Sequence, residues 1–273
     1  MTDEPAAGYE EKITEHYRRE AEEHGTAGSS TMRDEITRAK ELEAIGRVLA
    51  HLDGKQALTT LLDAGCGNGV LLSELRESLP DTELTGIEFS SDMAELARGR
   101  GLERCEIVEG SVAELPFDDG SFDVVVTERC LINLMDPGDQ DAALAQIARV
   151  LRPGGHYVCV EAFSDGLANL NKAREELGLE PHRVPHHNLW IDKQRFLTAA
   201  ERVLERRDAT GLGDPDLPPP NFLSSHYFVS RVLYPAITRA EVRYNTELVK
   251  FLSFLEPVGE YSPIQLYVFE RPA

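Results

Sequence analysis

The sequence predicts an α/β fold: a doubly wound, mostly parallel sheet with helices on both faces. Three observations predict it. Short apolar runs alternate with amphipathic stretches from residue 57 to residue 161, the rhythm of consecutive strand–helix units. Two of the runs, VVV at 124–126 and VCV at 158–160, are apolar throughout, as suits strands covered on both sides. Right-handed crossovers between parallel neighbours then put helices on both faces.

The elements follow in order. Residues 9–52 read as helix, with Leu42, Ile45, Val48 and Leu49 spaced by three and four on one face. The small-residue loop GTAGSST (25–31) interrupts it, Ser30 or Thr31 caps the second half, and Asp53-Gly54 ends it. ALTTLLDAG (57–65) is the first strand, and NGVLLSELRESLP (68–80) a helix stopped by Pro80. ELTGIEF, the helix SDMAELARGRG, and CEIVEGS follow. FDDGSFDVVVTE is an acidic turn and fourth strand. PGDQDAALAQIARVLRPGG is a helix with Pro137 in its first turn and a Pro153-Gly154-Gly155 stop. HYVCVEAF is the fifth strand. After Glu161 the rhythm breaks. Residues 162–191 are polar and hold the cluster PHHNLW. DKQRFLTAAER is helical, VLERRDAT a strand, and DPDLPPP (214–220) a linker. NFLSSHYFVSRVLYPAI and AEVRYNTELVKFLSFL read as two helices, and the alternating IQLYVFERP as a closing strand.

Length and charge bound the function. At 273 residues the chain makes one large domain with sizeable insertions and needs no disulfide or metal for its core. The 48 acidic residues against 28 basic ones give a net charge of −20, which disfavours duplex DNA or an anionic membrane as partner and permits cationic ligands. No apolar run is long enough to span a membrane, and the acidic N-terminus lacks the apolar core of a secretory signal. Cytoplasmic localisation is therefore expected. Cys66, Cys105, Cys130 and Cys159 form no CxxC pair, so no metal site is expected and the thiols read as buried and reduced.

The chemistry concentrates in LLDAGCGNG, which places Asp63, Gly65, Gly67 and Gly69 between the first strand and the next helix. Ligands of open α/β sheets bind at that edge. Glycines let backbone N–H groups approach a ligand closely, and the helix N-terminus adds partial positive charge. The dinucleotide fingerprint G-x-G-x-x-G is not met, because Val70 stands at its third glycine, and no GK[ST] follows to make a Walker A loop. Glu88 ends the second strand about 20 residues past the glycines, where a carboxylate accepts from ribose hydroxyls.

With LLDAGCGNG, TGIEFSSDM, VEGSVAELPFDDGSFDVVV and RVLRPGGHYVCVE in that order, residues 57–161 resemble the class I S-adenosylmethionine-dependent methyltransferases. The resemblance implies a Rossmann-like seven-stranded sheet whose last strand is antiparallel. It implies S-adenosylmethionine as cofactor, leaving as S-adenosylhomocysteine. The loop through Asp63, Gly65, Cys66 and Gly67 would hold the methionine part, Glu88 the ribose diol, Phe89 and Met93 the adenine faces, and Ser111 and Val112 the adenine edge. Ser111 departs from the family, which usually has an acid there. Arg33 is a candidate for the cofactor carboxylate.

The methyl would point toward the tips of the fourth and fifth strands, at Glu128 and Glu161. Methyl transfer is an in-line displacement that needs the acceptor aimed and one proton managed. Two carboxylates there suit an amine or guanidine nitrogen, so a small, cationic nitrogen acceptor is the first expectation. An ion pair or a contact to the cofactor is the competing role for Glu128, and a solvated strand end the competing role for Glu161. His186 and His187 lie in the 162–191 insertion, and His187 as general base gives the runner-up, an oxygen acceptor on a small metabolite or sugar. Tyr9, Tyr17, Trp190, Phe222, Tyr227, Phe228 and Tyr234 are candidates for an acceptor wall, and packing at helical spacing is the competing role for Tyr227 and Phe228. The expected organisation is a helical lid over 1–56 and a methyltransferase domain over 57–273, with cap segments at 162–191 and 211–260. A cofactor-binding module without transferase activity is the alternative of another class, and a nicotinamide-dependent oxidoreductase a weaker third. Oligomeric state is not legible.

Overall fold

The computed structural model describes residues 18, 19, 25, 32–207 and 209–273. Of the expected helix before residue 32 only Arg18 and Arg19, both helical, and Gly25 are described; the Ser30/Thr31 cap, Tyr9 and Tyr17 lie outside the described residues.

Seven strands form one sheet: β1 (Thr60–Ala64), β2 (Glu83–Glu88), β3 (Cys105–Glu109), β4 (Phe122–Glu128), β5 (Leu151–Ala162), β6 (Glu205–Arg207) and β7 (Ile264–Glu270). Their order is β3-β2-β1-β4-β5-β7-β6. β1 to β5 pair in parallel, and β7 runs antiparallel between β5 and β6. The chain reverses its direction across the sheet between β1 and β4, so a crevice opens at their carboxyl ends.

The helices are α1 (Glu35–Lys55), α2 (Val70–Ser78), α3 (Ser91–Gly99), α4 (Pro137–Val150), α5 (Ser164–Glu176) and α6 (Lys193–Ala200). Two more follow. α7 is one continuous rod made of Ser224–Phe228, Val229–Leu233 and Tyr234–Thr238, and α8 is Glu247–Leu252. Caps explain several starts. Asp34 accepts from Thr37 N at 3.0 Å, Ser90 from Met93 N at 3.5 Å, and Asp136 from Gly138 N at 2.6 Å beside Pro137.

The described part of the expected lid is a core helix. α1 buries Ala44, Ile45, Val48, Leu49 and Leu52 against α2 and β5, and only its N-terminal turn reaches the crevice. It runs past the expected Asp53-Gly54 stop to Lys55. Pro153-Gly154-Gly155 is not a helix stop either. α4 passes straight into β5, and those residues bulge out as pairing jumps from Phe122↔Leu151 to Val124↔His156. A Cβ on Gly155 would sit 2.9 Å from the carbonyl oxygens of Arg152 and Asp123, so the bulge closes only on glycine.

The polar stretch after β5 contains α5, a helix the sequence reading lacked. In the last expected helix only Glu247–Leu252 is helical. α7 carries a π-turn at Val229–Leu233. Pro235 causes the local disturbance, since it offers no N–H to the carbonyl of Arg231 four residues back. The Arg174 guanidinium on α5 donates to that carbonyl instead, tying α5 to α7. Among the described residues no helix is long and apolar enough to cross a membrane.

Candidate active site

A cavity of about 750 Å³ opens at the carboxyl ends of β1, β2 and β4. One end is built by the glycine loop. Gly65 N and Cys66 N donate to the Ile87 carbonyl at 2.8 and 3.0 Å, folding the loop onto β2. Gly65 has φ +85°, and a Cβ there would lie 2.4 Å from Cys130 Sγ. Both the left-handed backbone and the close approach of the β4 loop therefore require glycine.

Glu88 is buried at the tip of β2. Its Oε2 accepts from Gly67 N at 2.9 Å and its Oε1 from Ser90 N at 2.8 Å. Burial raises its pKa while those N–H groups pull it down. Each oxygen keeps a lone pair for a ligand hydroxyl. Asp63 is 1% exposed and its Oδ2 has no hydrogen-bond partner. Burial, reinforced by Glu128 and Glu88 and opposed by Arg38, pushes its pKa well up. A buried acceptor on a cavity wall, surrounded by other acids, asks for a cationic donor from the ligand. Phe89 is half exposed at the rim. Ser111 Oγ accepts from Ala113 N at 3.2 Å, which leaves its O–H to donate. Val112 is on the wall beside it. These residues fit S-adenosylmethionine: an acid for its cationic methionine end, an acid for the ribose diol, an aromatic face and a hydroxyl for the adenine. Arg33 is exposed at the mouth and lines the cavity.

Two expected contacts are not on the wall. Met93 is fully buried in the first turn of α3, packed into the core rather than facing the cavity. Glu161 is also fully buried. Its Oε1 accepts from Cys130 N and Leu131 N, both at 3.1 Å, so it fixes the turn that follows β4. Burial pushes its pKa up to about 7 against the pull of those N–H groups. It is neither an acceptor-orienting group on the wall nor a solvated strand end.

Glu128 is on the wall and ion-paired. Arg38 of α1 binds its Oε1. Glu41, fully buried beside it, lies 3.2 Å from Arg129 Nε through Oε1. Burial and the neighbouring Glu128 push Glu41 up to about 8, against the attraction of Arg129. Glu128 is buried too, yet Arg38, Arg129 and a hydrogen bond with Glu41 hold it below its ordinary value. Arg129 adopts φ +53°, a strained left-handed conformation for a non-glycine residue. Its N–H still donates to Val160 O at 2.8 Å.

The other end of the cavity is lined by Ile132, Asn133, His182, His187, Trp190 and Tyr227 among others. His186 packs edge-on against His187, with ring centroids 5.2 Å apart, but is not on the wall, nor are Phe222, Phe228 and Tyr234. Burial, with Arg231 and Arg174 nearby, lowers His182 to about 4, so its imidazole is neutral at physiological pH. Arg38, Glu41, His182 and Asn133 were not legible as site residues, because each is brought in by a tertiary contact. The burial of the cysteine thiols raises the pKa of all four, so none is a nucleophile at neutral pH.

Residues 61–155 match the protein family described as "Methyltransferase domain". An uncharacterized methyltransferase of Schizosaccharomyces pombe is 34% identical over 112 residues, 37% of this chain and 39% of that protein. A demethylmenaquinone methyltransferase of Lactococcus lactis is 34% identical over 146 residues, 52% of this chain and 54% of that protein. The chain thus spans about half or less of the curated relatives it matches. Two solved structures share the fold. A putative sarcosine dimethylglycine methyltransferase from Galdieria sulphuraria has a TM-score of 0.54 at 15% identity, covering 86% of each chain. A putative methyltransferase of Haloferax volcanii, in complex with the Trm112 methyltransferase activator, has a TM-score of 0.53 at 20% identity, covering 91% of this chain and 97% of that one. The matched segment contains the glycine loop, Glu88 and the β4 tip, and the sheet around them has the seven strands and the antiparallel last strand that the resemblance implied: residues 61–155 are similar to the methyltransferase domain family.

Proposed function

We propose that this chain transfers a methyl group from S-adenosylmethionine to a small molecule, and that the acceptor is a neutral, hydroxyl-bearing compound. The observation that carries the reading is the cavity itself. It joins the glycine loop and Glu88 to an end walled by imidazoles, amides and aromatic rings. Its volume lies within the range of about 300–1,000 Å³ usual for small-molecule sites. His182, His187 and Trp190 come from 162–191 and Tyr227 from 211–260, which supports these segments as the acceptor's cover.

S-adenosylmethionine supplies an electrophilic methyl on a sulfonium centre. The chain's own residues have three tasks: holding the acceptor in line, excluding water and removing one proton. His187, one of the residues lining the cavity, takes that proton from a hydroxyl in this reading. A nitrogen acceptor is the second reading, favoured by Glu128 on the wall. It is the weaker one, because Glu128 is neutralised by Arg38 and Glu161 faces the interior. The acceptor end therefore presents no free buried carboxylate among its described lining.

The test is transfer of labelled methyl to a panel of hydroxylated and amine compounds by the wild type, His187→Ala and Glu128→Gln. Label on hydroxyl oxygens, with turnover reduced about 10²–10⁴-fold in His187→Ala, supports the reading. Label on amines, lost in Glu128→Gln with cofactor affinity retained, selects nitrogen. Tight adenosylhomocysteine binding with no transfer to any compound makes the chain a binding module.

A further inference from the structure

We propose that Tyr227 binds the methyl acceptor, donating its phenolic hydrogen to an oxygen atom of the substrate. The proposal deepens the methyltransferase reading and rests on it. Tyr227 is 5% exposed and lines the cavity. Its hydroxyl makes no hydrogen bond to any described residue. A phenolic hydroxyl on a cavity wall has one hydrogen to donate and a lone pair to offer, and both are available to what enters the cavity.

The ring is clamped from behind. The Arg231 guanidinium lies 3.6 Å from the Tyr227 ring centroid, and Tyr244 flanks the same guanidinium at 4.5 Å. Arg231 Nη2 is 2.9 Å from Asp34 Oδ2, and His226 Nε2 is 2.9 Å from the same oxygen. Asp34 is itself the N-cap of α1. Asp34, His226 and Arg231 are all under 5% exposed. They are positioning residues: they join α7 to the start of α1 and set where the phenol stands.

The arrangement also selects a substrate class. Burial raises the Tyr227 pKa, only partly offset by Arg231, so the group is a phenol and a donor at physiological pH. A cation behind the ring withdraws density from its face and disfavours a second cation in front of it. With Ile132 and Trp190 on the same wall, the fitting ligand is an apolar, oxygen-bearing compound such as a hydroxylated aromatic, rather than an ammonium.

The experiment uses 4-nitrocatechol as probe, titrated into protein saturated with adenosylhomocysteine and followed by its absorbance shift. Tyr227→Phe is expected to weaken the probe at least tenfold while adenosylhomocysteine affinity by calorimetry stays within twofold. Arg231→Lys, which keeps the charge beside Asp34 but not the flat face, is expected to weaken the probe and leave the cofactor unchanged. Equal probe affinity in Tyr227→Phe, or no probe binding to the loaded wild type, overturns the proposal. So does a loss of adenosylhomocysteine binding in Tyr227→Phe, which would assign the phenol to the cofactor. Absence of adenosylhomocysteine heat in the folded wild type strikes the methyltransferase reading instead.

Discussion

Asp34→Ala offers a measurable test of how α7 is fastened to the start of α1. The change removes the carboxylate that serves His226, Arg231 and the α1 N-cap together. Removing one partner of a buried ion pair strands the other charge, at a cost of about 3–5 kcal/mol. Loss of the cap alone accounts for about 1 kcal/mol of that. For a domain of this size each kcal/mol lowers the thermal midpoint by roughly 2–4 °C, so the expected fall is roughly 6–20 °C. Calorimetry and urea unfolding read it directly. Asp34→Asn keeps a cap acceptor without the charge and should fall between wild type and alanine. Arg231→Met on the alanine background removes the stranded cation, so the double variant should lose less than the sum of the singles. The pH dependence has a defined sign. Burial opposes ionisation of Asp34, but His226 and Arg231 outweigh it and hold the carboxyl far below its ordinary 3.8. Its stabilisation is therefore present above pH 3.8 and lost as pH falls toward the lower folded value. A cost under about 1 kcal/mol, or strict additivity with Arg231→Met, would refute this account of the network.

Other perturbations bear on the site. Gly65→Ala forces a Cβ to 2.4 Å from Cys130 Sγ at φ +85°; overpacking and left-handed strain together should cost about 2–5 kcal/mol and abolish adenosylhomocysteine binding. Glu88→Gln weakens the charge-assisted bonds to Gly67 N and Ser90 N and to a ligand diol. About 1.5–3 kcal/mol is at stake, so calorimetry should show adenosylhomocysteine binding roughly 10–150-fold weaker. Glu161→Gln tests a buried acid whose folded pKa is raised from 4.5 to about 7. The wild type loses stability as pH rises through that window, so the variant should gain thermal stability over the wild type at pH 8 and not at pH 4. A pH-independent difference would count against it.

The sheet was largely legible because its strands are apolar runs bounded by caps and glycines. β1 to β5 and β7 lie where VVV, VCV and the terminal alternation put them, and Asp63, Gly65 and Glu88 sit together at the crevice. α5 was not legible because only Gly166, Leu170 and Arg174 along it are buried, a stripe too narrow to give an amphipathic pattern. Met93 was misplaced because a motif fixes a position in the chain, and the turn of α3 then rotates that side chain inward. Glu128 stood at the expected strand tip, but its neutralising partner Arg38 is 90 residues away. The Asp34–His226 contact joins residues 192 apart. Such pairs leave no local signal; only the packing of α1 and α7 creates them.

The position of β7 sets an order on folding. Residues 264–270 pair along both edges, with β5 on one side and β6 on the other. On the ribosome every other strand emerges first, and the flank of β5 at Val158–Val160 waits with its peptide groups unmatched. That flank is an adhesive ribbon until β7 arrives. A chain halted before residue 264 would leave that flank open and would lack Ile264, which lines the crevice.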